Sequence, residues 1–368
     1  MRIIMTGGGT GGHIYPAVAI ADEFKKNDKD TEVLFVGAEI GMEGDLVPKC
    51  GYDIKLLPVD GFNRKKLLKN FAVLKKLHIS NKKAKEIIRD FKPDLVIGTG
   101  GYASAPVIKT AQKMGIPTYI HEQNAFPGVS NKVQEKGARR VFLGFEAASK
   151  HFRYPEKHIA VGNPVREDFI KADREMSRAA LGLRPDDFVL LAFGGSQGAG
   201  KINKAMIEVI EAMNGVEDFK IFLGTGSYYY EVIKKGFEAK GVELKDNITL
   251  LEYIEDMPKY LSAADLLVSR SGALTVAEVT VCGVPAIFIP SPNVTGNHQY
   301  FNAEAVADRG GAVILEEAKL DDDKLLSVIQ SLKSNPELLK QMAEKSAECA
   351  LPEAVDVIYR SIIDSYKE

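Results

Sequence analysis

The stretch MRIIMTGGGTGGHIYPA, from Met1 to Ala17, joins a short apolar run to a dense cluster of glycines and then to a helical pattern. Arg2–Met5 is predicted to be a β-strand buried on both faces. The glycines from Gly7 to Gly12 would let backbone N–H groups approach a ligand, and we expect a helix to start near Pro16. This order of strand, glycine loop and helix predicts a βαβ unit in a parallel sheet.

The same order returns in the second half, in FVLLAFGGSQGAG from Phe188 to Gly200. Elsewhere, short β-rich runs alternate with amphipathic helical stretches. The predicted strands are Arg2–Met5, Glu32–Val36, Asp94–Ile97, Thr118–Ile120 and Arg140–Leu143 in the first half, and Phe188–Phe193, Lys220–Leu223, Ile248–Leu250, Asp265–Val268 and Ala286–Ile289 in the second. The sequence therefore predicts an α/β fold of two Rossmann-like parallel-sheet domains that face each other across a cleft.

Turn-forming residues at Gly162-Asn163-Pro164 interrupt this pattern and predict the domain boundary. The predicted domains are 1–163 and 164–350. Pro352 is expected to interrupt the helical run from Glu337 to Tyr366. Residues 351–368 are therefore predicted to form a C-terminal helix that leaves the second domain, with the first domain as its candidate packing partner.

The charge of the chain is unevenly distributed. The net charge of −2 over 368 residues argues against a general nucleic-acid binder. The segment 63–92, however, carries eleven basic residues against Glu86 and Asp90, a net charge of +9 that leaves −11 for the rest of the chain. This basic segment predicts an anionic partner.

Cysteines and hydropathy indicate the compartment. Cys50, Cys282 and Cys349 lie far apart without metal-ligand spacing, and such a sparse, odd count is typical of a reducing compartment. The apolar residues before Gly7 are too few for a signal peptide, and no apolar run approaches the ~20 residues that span a bilayer. We expect a cytoplasmic protein that is at most peripheral to a membrane.

The first glycine loop ends at His13, which is the most informative residue of this region. A lone histidine is usually structural. Here it falls in the first turn of a helix, where the positive end of the dipole disfavours the imidazolium form. A neutral histidine beside a glycine loop is suited to removing a proton from a hydroxyl group. A dehydrogenase fingerprint (Gly7, Gly9 and Gly12, with Glu39) also fits, but so glycine-dense a loop fits many patterns.

Two constellations in the second half indicate anion binding. The loop Gly194–Gly200 contains Ser196, whose hydroxyl could bind a phosphate together with the loop amides. The stretch SRSGALTVAE, Ser269–Glu278, follows a strand and starts a helix, so amides near Ala273 are available to an anion. Glu278 lies about one turn into that helix, where it could accept hydrogen bonds from ribose hydroxyls. A simple turn and a simple capped helix are the structural alternatives.

Six motifs, in the order GGGTGGHIYPA, GTGGYAS, HEQN, GNPVR, GGSQGA and SRSGALTVAE, span Gly7 to about Asn302. They resemble the MurG family of peptidoglycan synthesis, and the resemblance covers most of the chain. It implies a GT-B fold that binds UDP-GlcNAc between its domains, mainly through the second. The implied reaction transfers GlcNAc with inversion to the MurNAc of lipid I (undecaprenyl-pyrophosphoryl-MurNAc-pentapeptide) and forms lipid II. Neither a metal ion nor another cofactor is expected.

The resemblance also assigns roles to individual residues. The donor sugar and the acceptor phosphates are bordered by Thr10, Gly11 and Gly12, while the sugar hydroxyls are bound by Asn124 and Gln299. Arg166 and Ser196 contact the donor diphosphate, and the backbone of Ile254 binds uracil. Phosphate and ribose are held by Ala273, Leu274, Thr275, Val276, Ala277 and Glu278. Some family members have two glutamines where this chain has His298-Gln299, which leaves open the side chain that reads the sugar O4. The catalytic base also stays open between His13 and Glu122.

Two other functions stay open: a UDP-GlcNAc 2-epimerase of the same fold, which would need no acceptor, and a non-catalytic UDP-sugar-binding protein, which would bind without turnover. The basic segment favours the transferase, because lysines beside a helical stripe formed by Leu67, Leu68, Phe71, Leu74 and Leu77 suit an anionic membrane surface. A second stripe, formed by Ala84, Ile87, Ile88 and Phe91, is predicted to cover the sheet. We therefore expect a peripheral enzyme at the cytoplasmic face of the bacterial membrane, where other cell-wall synthesis proteins are candidate partners.

Overall fold

The computed structural model describes residues 1–59, 70–195, 197–320 and 323–367, without the side chains of residues 70–74. The chain divides into two compact units. The first unit consists of Met1–Val165 together with Leu351–Glu368, and the second unit consists of Arg166–Ala350.

The first unit is built on a parallel sheet with the strand order β3-β2-β1-β4-β5-β6-β7. Its strands are β1 (Arg2–Gly7), β2 (Glu32–Ala38), β3 (Asp53–Leu57), β4 (Leu95–Gly100), β5 (Thr118–Glu122), β6 (Arg140–Leu143) and β7 (His158–Ala160). Its first helices are α1 (Gly11–Asn27), α2 (Glu43–Lys49), α3 (Asn70–Phe91), α4 (Ser104–Lys113) and α5 (Val129–Gln134).

The second unit repeats this plan with the strand order β10-β9-β8-β11-β12-β13. Its strands are β8 (Phe188–Phe193), β9 (Phe219–Gly224), β10 (Ile248–Leu251), β11 (Leu266–Ser269), β12 (Ala286–Phe288) and β13 (Ala312–Ile314). Its helices are α6 (Glu167–Ile170), α7 (Arg174–Ala180), α8 (Gly200–Met213), α9 (Ser227–Ala239), α10 (Met257–Ala263), α11 (Ala273–Val281), α12 (His298–Ala307), α13 (Lys324–Lys333) and α14 (Pro336–Ala347).

The continuous apolar runs become central strands because both faces of each sheet are covered. In β1, Ile3 and Met5 belong to one buried cluster and Ile4 to another, as alternation along a strand requires. The stripe of Ala84 and Ile88 on α3 packs into the Ile4 cluster, so its predicted role in covering the sheet is confirmed.

The last helix, α15 (Ala354–Lys367), belongs to the first unit. The helical run is broken between α14 and α15, around Pro352, as predicted. Ile358 and Ile362 are fully buried in the core cluster that contains Phe24 of α1. The Tyr119 hydroxyl lies 2.8 Å from the Ser365 hydroxyl, so both apolar and polar contacts hold this helix on the sheet.

Two features differ from the sequence predictions. The strands β3, β7 and β13 were missed because they are short or partly exposed strands at sheet edges, without a continuous apolar run. The helix α1 begins at Gly11, not near Pro16. Pro16 removes only its own N–H from the bonds of the helix, and the buried apolar face of the helix outweighs this loss.

Each sheet has one point at which the strand order reverses. In the first unit the reversal lies between β1 and β4, and in the second it lies between β8 and β11. Ligands of open parallel sheets bind beyond the carboxyl ends of the strands at such a switch point. Within the described ranges, no helix is both long and apolar enough to cross a membrane.

Candidate functional site

The switch point of the first unit is formed by two glycine-rich loops that press against each other. The loop after β1 starts at Gly8, and the loop after β4 contains Gly101 with a φ of +79°. A Cβ atom on Gly101 would lie 2.3 Å from the carbonyl oxygen of Gly8. Only glycine allows this main-chain contact, which therefore fixes the position of the first loop.

A buried carboxylate braces the same loop. Glu43, at the start of α2, is fully buried, and its Oε2 accepts the Gly9 N–H at 2.9 Å. Its Oε1 accepts the Ala38 N–H at the end of β2, also at 2.9 Å. Sequence reasoning missed Glu43, because no local pattern connects a glutamate in a short helix with a loop 34 residues earlier.

The loop leads to the amino end of α1, where several predicted site residues lie. Thr10 is the extended residue before the helix and makes no side-chain capping hydrogen bond. Thr10 and Gly12 are exposed, and Gly11 is half-buried. The amides of Gly11 and Gly12 precede the first bonds of α1, which His13 and Ile14 make to the Thr10 carbonyl oxygen, and they lie at an accessible surface that suits a negatively charged group.

His13 follows in the first turn of α1 and is half-buried. Its Nδ1 lies 3.0 Å from Gln123 Oε1. The Gln123 Nε2 lies 2.9 Å from Nδ1 of His121, whose Nε2 lies 3.1 Å from the Gly162 carbonyl oxygen. His13 is thus the accessible end of a hydrogen-bonded chain that runs into the sheet.

Glu122 lies at the end of β5 and is buried. Its Oε1 accepts the main-chain N–H and the side-chain amide of Asn124, at 3.0 and 3.2 Å. Its Oε2 accepts the Gly128 N–H at 2.9 Å and the Asn131 amide at 2.8 Å. Both oxygens of this carboxylate are therefore occupied, and its contacts hold the loop that carries Asn124.

The switch point of the second unit brings together the glycine loop after β8 and the turn before α11. Phe193 of β8 and Ser269 of β11 are direct partners in the sheet, so the two segments start side by side. A Cβ atom on Gly198 would lie 2.0 Å from the Thr225 carbonyl oxygen, so this loop packs on main chain. The predicted phosphate ligand Ser196 lies outside the described residues.

The amino end of α11 offers backbone amides. The residue before it is Gly272, which has no side chain to cap the helix, and the first turn contains no acidic residue. Val276 makes the first intrahelical bond, to Gly272 O at 2.9 Å. The N–H groups of Ala273, Leu274 and Thr275 precede it and have no intrahelical acceptor, an arrangement that suits a negatively charged group.

Glu278 lies one turn further along α11. Burial raises the pKa of its carboxyl group to about 7, while the positive charge of Arg166 opposes this shift. Arg166 is exposed, precedes α6, and stacks its guanidinium 5.0 Å from the centre of the Phe169 ring. The structure therefore brings Arg166, Glu278 and the α11 amides into one electrostatic environment in the second unit. Val276 is buried, and Ala277 is half-buried.

Gln299 and Ile254 complete the set of predicted residues. The Gln299 Oε1 accepts the Ser291 N–H at 2.8 Å, and its carbonyl oxygen accepts the Ser271 hydroxyl at 2.7 Å, so it is fixed next to the turn before α11. The buried side chain of Ile254 packs over Gly224 at the end of β9. In the described part of the chain, no group of three or more His, Cys, Asp or Glu side chains could hold a metal ion.

Comparisons with known proteins cover both units. Residues 3–143 match the glycosyltransferase family 28 N-terminal domain, and residues 189–358 match the glycosyltransferase family 28 C-terminal domain. Over 368 residues, the chain is 43% identical to the UDP-N-acetylglucosamine--N-acetylmuramyl-(pentapeptide) pyrophosphoryl-undecaprenol N-acetylglucosamine transferase of Acetivibrio thermocellus, a match that covers 100% of this chain and 99% of the relative.

Solved structures resemble the whole chain. The crystal structure of Acinetobacter baumannii MurG is similar with a TM-score of 0.79 and 29% identity, covering 99% of each chain. A UDP-GlcNAc 2-epimerase from Neisseria meningitidis, solved with UDP-GlcNAc bound, covers 99% of this chain and 100% of its own, with a TM-score of 0.68 and 15% identity. At that identity the likeness to the epimerase concerns the fold alone.

Proposed function

Since the chain belongs to glycosyltransferase family 28, we propose that it transfers GlcNAc from UDP-GlcNAc to the MurNAc of lipid I and forms lipid II. The observation that carries this proposal is the full-length match to a curated transferase whose name states this donor and this acceptor. Family membership confirms the resemblance inferred from the six motifs, and the two parallel-sheet units confirm the fold class. The reaction belongs to peptidoglycan synthesis and so to cell-wall biogenesis, cell shape and division.

We assign the catalytic base to His13. Its ring is accessible at the switch point of the first unit, whereas both oxygens of Glu122 are engaged by four hydrogen bonds in a buried setting. A base must reach the proton that it removes, and a fully engaged carboxylate would first have to release its partners. Glu122 instead positions the loop that carries Asn124, and we propose that Asn124 binds hydroxyls of GlcNAc.

The second unit would bind the donor. The amides of Ala273 to Thr275 would face the diphosphate, with the exposed cation Arg166 beside it, and ionised Glu278 would accept hydrogen bonds from the ribose hydroxyls. Gln299, fixed by Ser291, offers its amide N–H groups to the sugar. The main chain of Ile254 would read the uracil edge. The role of Ser196 at the diphosphate stays a proposal from its motif.

The chemical step follows from these roles. The acceptor oxygen bonds to the anomeric carbon while the bond between that carbon and the diphosphate oxygen breaks, and the electron pair leaves with UDP. The hydroxyl proton passes to His13, and attack from the opposite face inverts the anomeric centre. Thr10 and the first amides of α1 would hold the acceptor pyrophosphate. We propose that no metal ion is needed, because helix amides and Arg166 can stabilise the charge that develops on UDP.

Transfer of radiolabelled GlcNAc from UDP-GlcNAc to a short-chain lipid I analogue, in the presence of EDTA, tests this function. We expect labelled lipid II analogue with wild-type protein. Labelled UDP-ManNAc formed without acceptor would instead indicate the epimerase. Binding of UDP-GlcNAc without any turnover would indicate a UDP-sugar-binding protein. Transfer that stops in EDTA and returns with added Mg²⁺ would contradict metal independence while leaving the transferase assignment intact.

We further propose that the basic segment 63–92 docks the enzyme on anionic lipids at the cytoplasmic face of the membrane. In its described part, Lys82, Lys85 and Arg89 are exposed on α3 while Ala84 and Ile88 are buried. Cations on an exposed helix face suit a negatively charged surface, each adding about 1 kcal/mol. Four further cations of the segment (Arg64, Lys65, Lys66 and Lys69), together with Leu67, Leu68 and the side chains of Phe71 and Leu74, lie outside the described residues.

Co-sedimentation with phosphatidylglycerol vesicles tests this docking. Reversing Lys65, Lys66 and Lys69 to Glu should abolish binding that the wild type shows at low salt, since the attraction is electrostatic. The control reverses three exposed lysines of the second unit, Lys234, Lys235 and Lys340, with the same change in charge. Equal loss of binding in both variants would indicate a net-charge effect and contradict a specific docking face.

A further inference from the structure

The hydrogen bonds that connect His13 with Gln123, His121 and Gly162 have defined donors and acceptors, which follow from the contact at Gly162. Gly162 contributes a carbonyl oxygen, which can only accept, so Nε2 of His121 must donate to it. His121 is completely buried, and burial lowers the pKa of its imidazole to about 4, so the ring is neutral near pH 7. A neutral ring with a proton on Nε2 has its lone pair on Nδ1.

The amide of Gln123 has a fixed orientation. Its Nε2 lies 2.9 Å from that lone pair on His121 Nδ1 and 3.2 Å from the carbonyl oxygen of His121. Both partners accept hydrogen bonds, so the NH₂ group must face them, and Oε1 must face His13. Gln123 is itself buried, and the Asn163 side chain donates to its carbonyl oxygen at 3.0 Å, so main chain and side chain are both held.

The orientation of Gln123 determines where His13 carries its proton. An amide oxygen can only accept, so Nδ1 of His13, 3.0 Å away, must be the donor. Gly100 supports the ring from another side, since a Cβ atom there would lie 3.1 Å from Nδ1 and Cε1 of His13. Within the described part of the chain, the His13 ring has a hydrogen-bond partner at Nδ1, and its Nε2 is left for a substrate.

We propose that Gln123 and His121 are positioning residues that hold His13 in the Nδ1–H tautomer, with the Nε2 lone pair directed to the acceptor hydroxyl. Free histidine prefers the opposite tautomer, with the proton on Nε2. In that form His13 would present a donor where the reaction needs a proton acceptor. The tautomer assignment rests on the hydrogen bonds and on the burial of His121, while its catalytic consequence rests on the proposed transfer reaction.

The alternation of side chains along β5 explains why these residues cooperate. His121 and Gln123 are two positions apart and lie on the same side of the extended chain, whereas Glu122 between them faces Gly128 and Asn131. The neutral amide can accept a hydrogen bond from the ring without competing for its proton. After proton transfer to Nε2, the Nδ1–H of the imidazolium still has its partner.

Long-range ¹H–¹⁵N NMR on protein labelled with ¹⁵N-histidine tests the tautomer without any substrate. The chain has six histidines, and the His13→Ala spectrum assigns the signals of His13. At a pH where His13 is neutral, we expect a protonated Nδ1 and an unprotonated Nε2. A protonated Nε2 in the wild type would overturn the proposal, whether or not the enzyme transfers GlcNAc.

The variant Gln123→Leu tests the positioning role in catalysis. It should shift the His13 signals toward the Nε2–H tautomer and lower kcat about 10–100-fold, the range typical of groups that orient a functional side chain, without changing the KM for UDP-GlcNAc. Gln112→Leu is the matched control, because Gln112 also bonds through its amide within the first unit, to Thr118 and Gln134. Unchanged kcat in Gln123→Leu, or an equal loss in Gln112→Leu, would contradict a specific role. Absence of transfer in the wild type, with the tautomer as expected, would instead count against the proposed function.

Discussion

The glycine loops after β1 and after β8 share one order of elements but differ in what they present. In the first unit, the buried carboxylate of Glu43 braces the loop, and the following helix presents a side chain, His13. In the second unit, the loop packs on main chain at Thr225, and the neighbouring helix α11 presents backbone amides.

This difference matches the two kinds of chemistry that we propose for the two units. A proton acceptor must be one side chain in one orientation, so the first unit surrounds its loop with buried hydrogen-bonding groups. A diphosphate spreads its charge over several oxygens, so an uncapped helix end is sufficient to bind it. The same pattern of strand, glycine loop and helix therefore predicts a binding edge of the sheet, but it does not predict which chemical group binds or reacts there.

Removing the imidazole of the first unit should have the largest effect. His13→Ala should lower kcat about 10²–10⁴-fold, since general base catalysis typically contributes this much, and should leave the KM for UDP-GlcNAc unchanged. The measurement is steady-state transfer with both substrates varied. His78→Ala, which removes an exposed histidine on α3, is the control and should match the wild type. Wild-type kcat in His13→Ala would contradict the assignment of His13 as the catalytic base.

The brace of the first loop can be removed separately. Glu43→Ala leaves the Gly9 and Ala38 amides without their acceptor, so we expect a loss of roughly 2–5 kcal/mol in the free energy of unfolding, measured in urea. Glu39→Ala is the control, since that residue is exposed and pairs only loosely with Lys83 at 3.5 Å. A loss below 1 kcal/mol in Glu43→Ala would mean that the main chain alone holds this loop, as in the second unit.

The packing of the first loop against main chain predicts a smaller loss in the free energy of unfolding. Gly101→Ala forces a Cβ atom against Gly8 O in a left-handed backbone conformation, and should cost about 3 kcal/mol of unfolding free energy. Gly115→Ala isolates the backbone term, because Gly115 has a φ of +77° but no atom within 4 Å of the added Cβ. It should cost about 1 kcal/mol. Equal losses in the two variants would show that the contact with Gly8 is relaxed easily.

The smallest effect concerns the pH dependence of the second unit. Burial raises the pKa of Glu278 to about 7, and we propose that ribose hydroxyls bind its ionised form. The donor KM should therefore be constant above that pKa and rise by about tenfold per pH unit as the pH falls below it. Kinetics from pH 5.5 to 8.5 measure this rise. In Glu278→Gln the dependence should disappear, and its persistence there would assign the titration to another group.

The sequence predicted the elements whose signal is local. The strands Phe188–Phe193 and Arg140–Leu143 are found at the predicted residues, since a continuous apolar run identifies a strand buried on both faces. Edge strands such as Asp53–Leu57 carry polar residues and gave no such signal. The start of α11 near Ala273 was predicted because a glycine directly before an apolar helix is visible in the sequence itself.

The groups that hold the site together could not be predicted, because their contacts are distant in sequence. Glu43 and Gln123 reach residues that are 34 and 110 positions away. Our choice of His13 over Glu122 rests on the four hydrogen bonds that Asn124, Gly128 and Asn131 donate to the Glu122 carboxylate, and the sequence alone does not show these contacts. The motif HEQN was recognised as a unit. Only the structure shows that Gln123 contacts His13, whereas Glu122 holds the loop that carries Asn124.

The division of work between the two units is tested most directly by calorimetric titration of UDP-GlcNAc into wild type, His13→Ala and Glu278→Ala at pH 8. We expect His13→Ala to bind the donor like the wild type, and Glu278→Ala to bind it about 10–100-fold more weakly, as loss of a charged hydrogen-bond acceptor implies. Weakened donor binding in His13→Ala together with unchanged binding in Glu278→Ala would contradict this division.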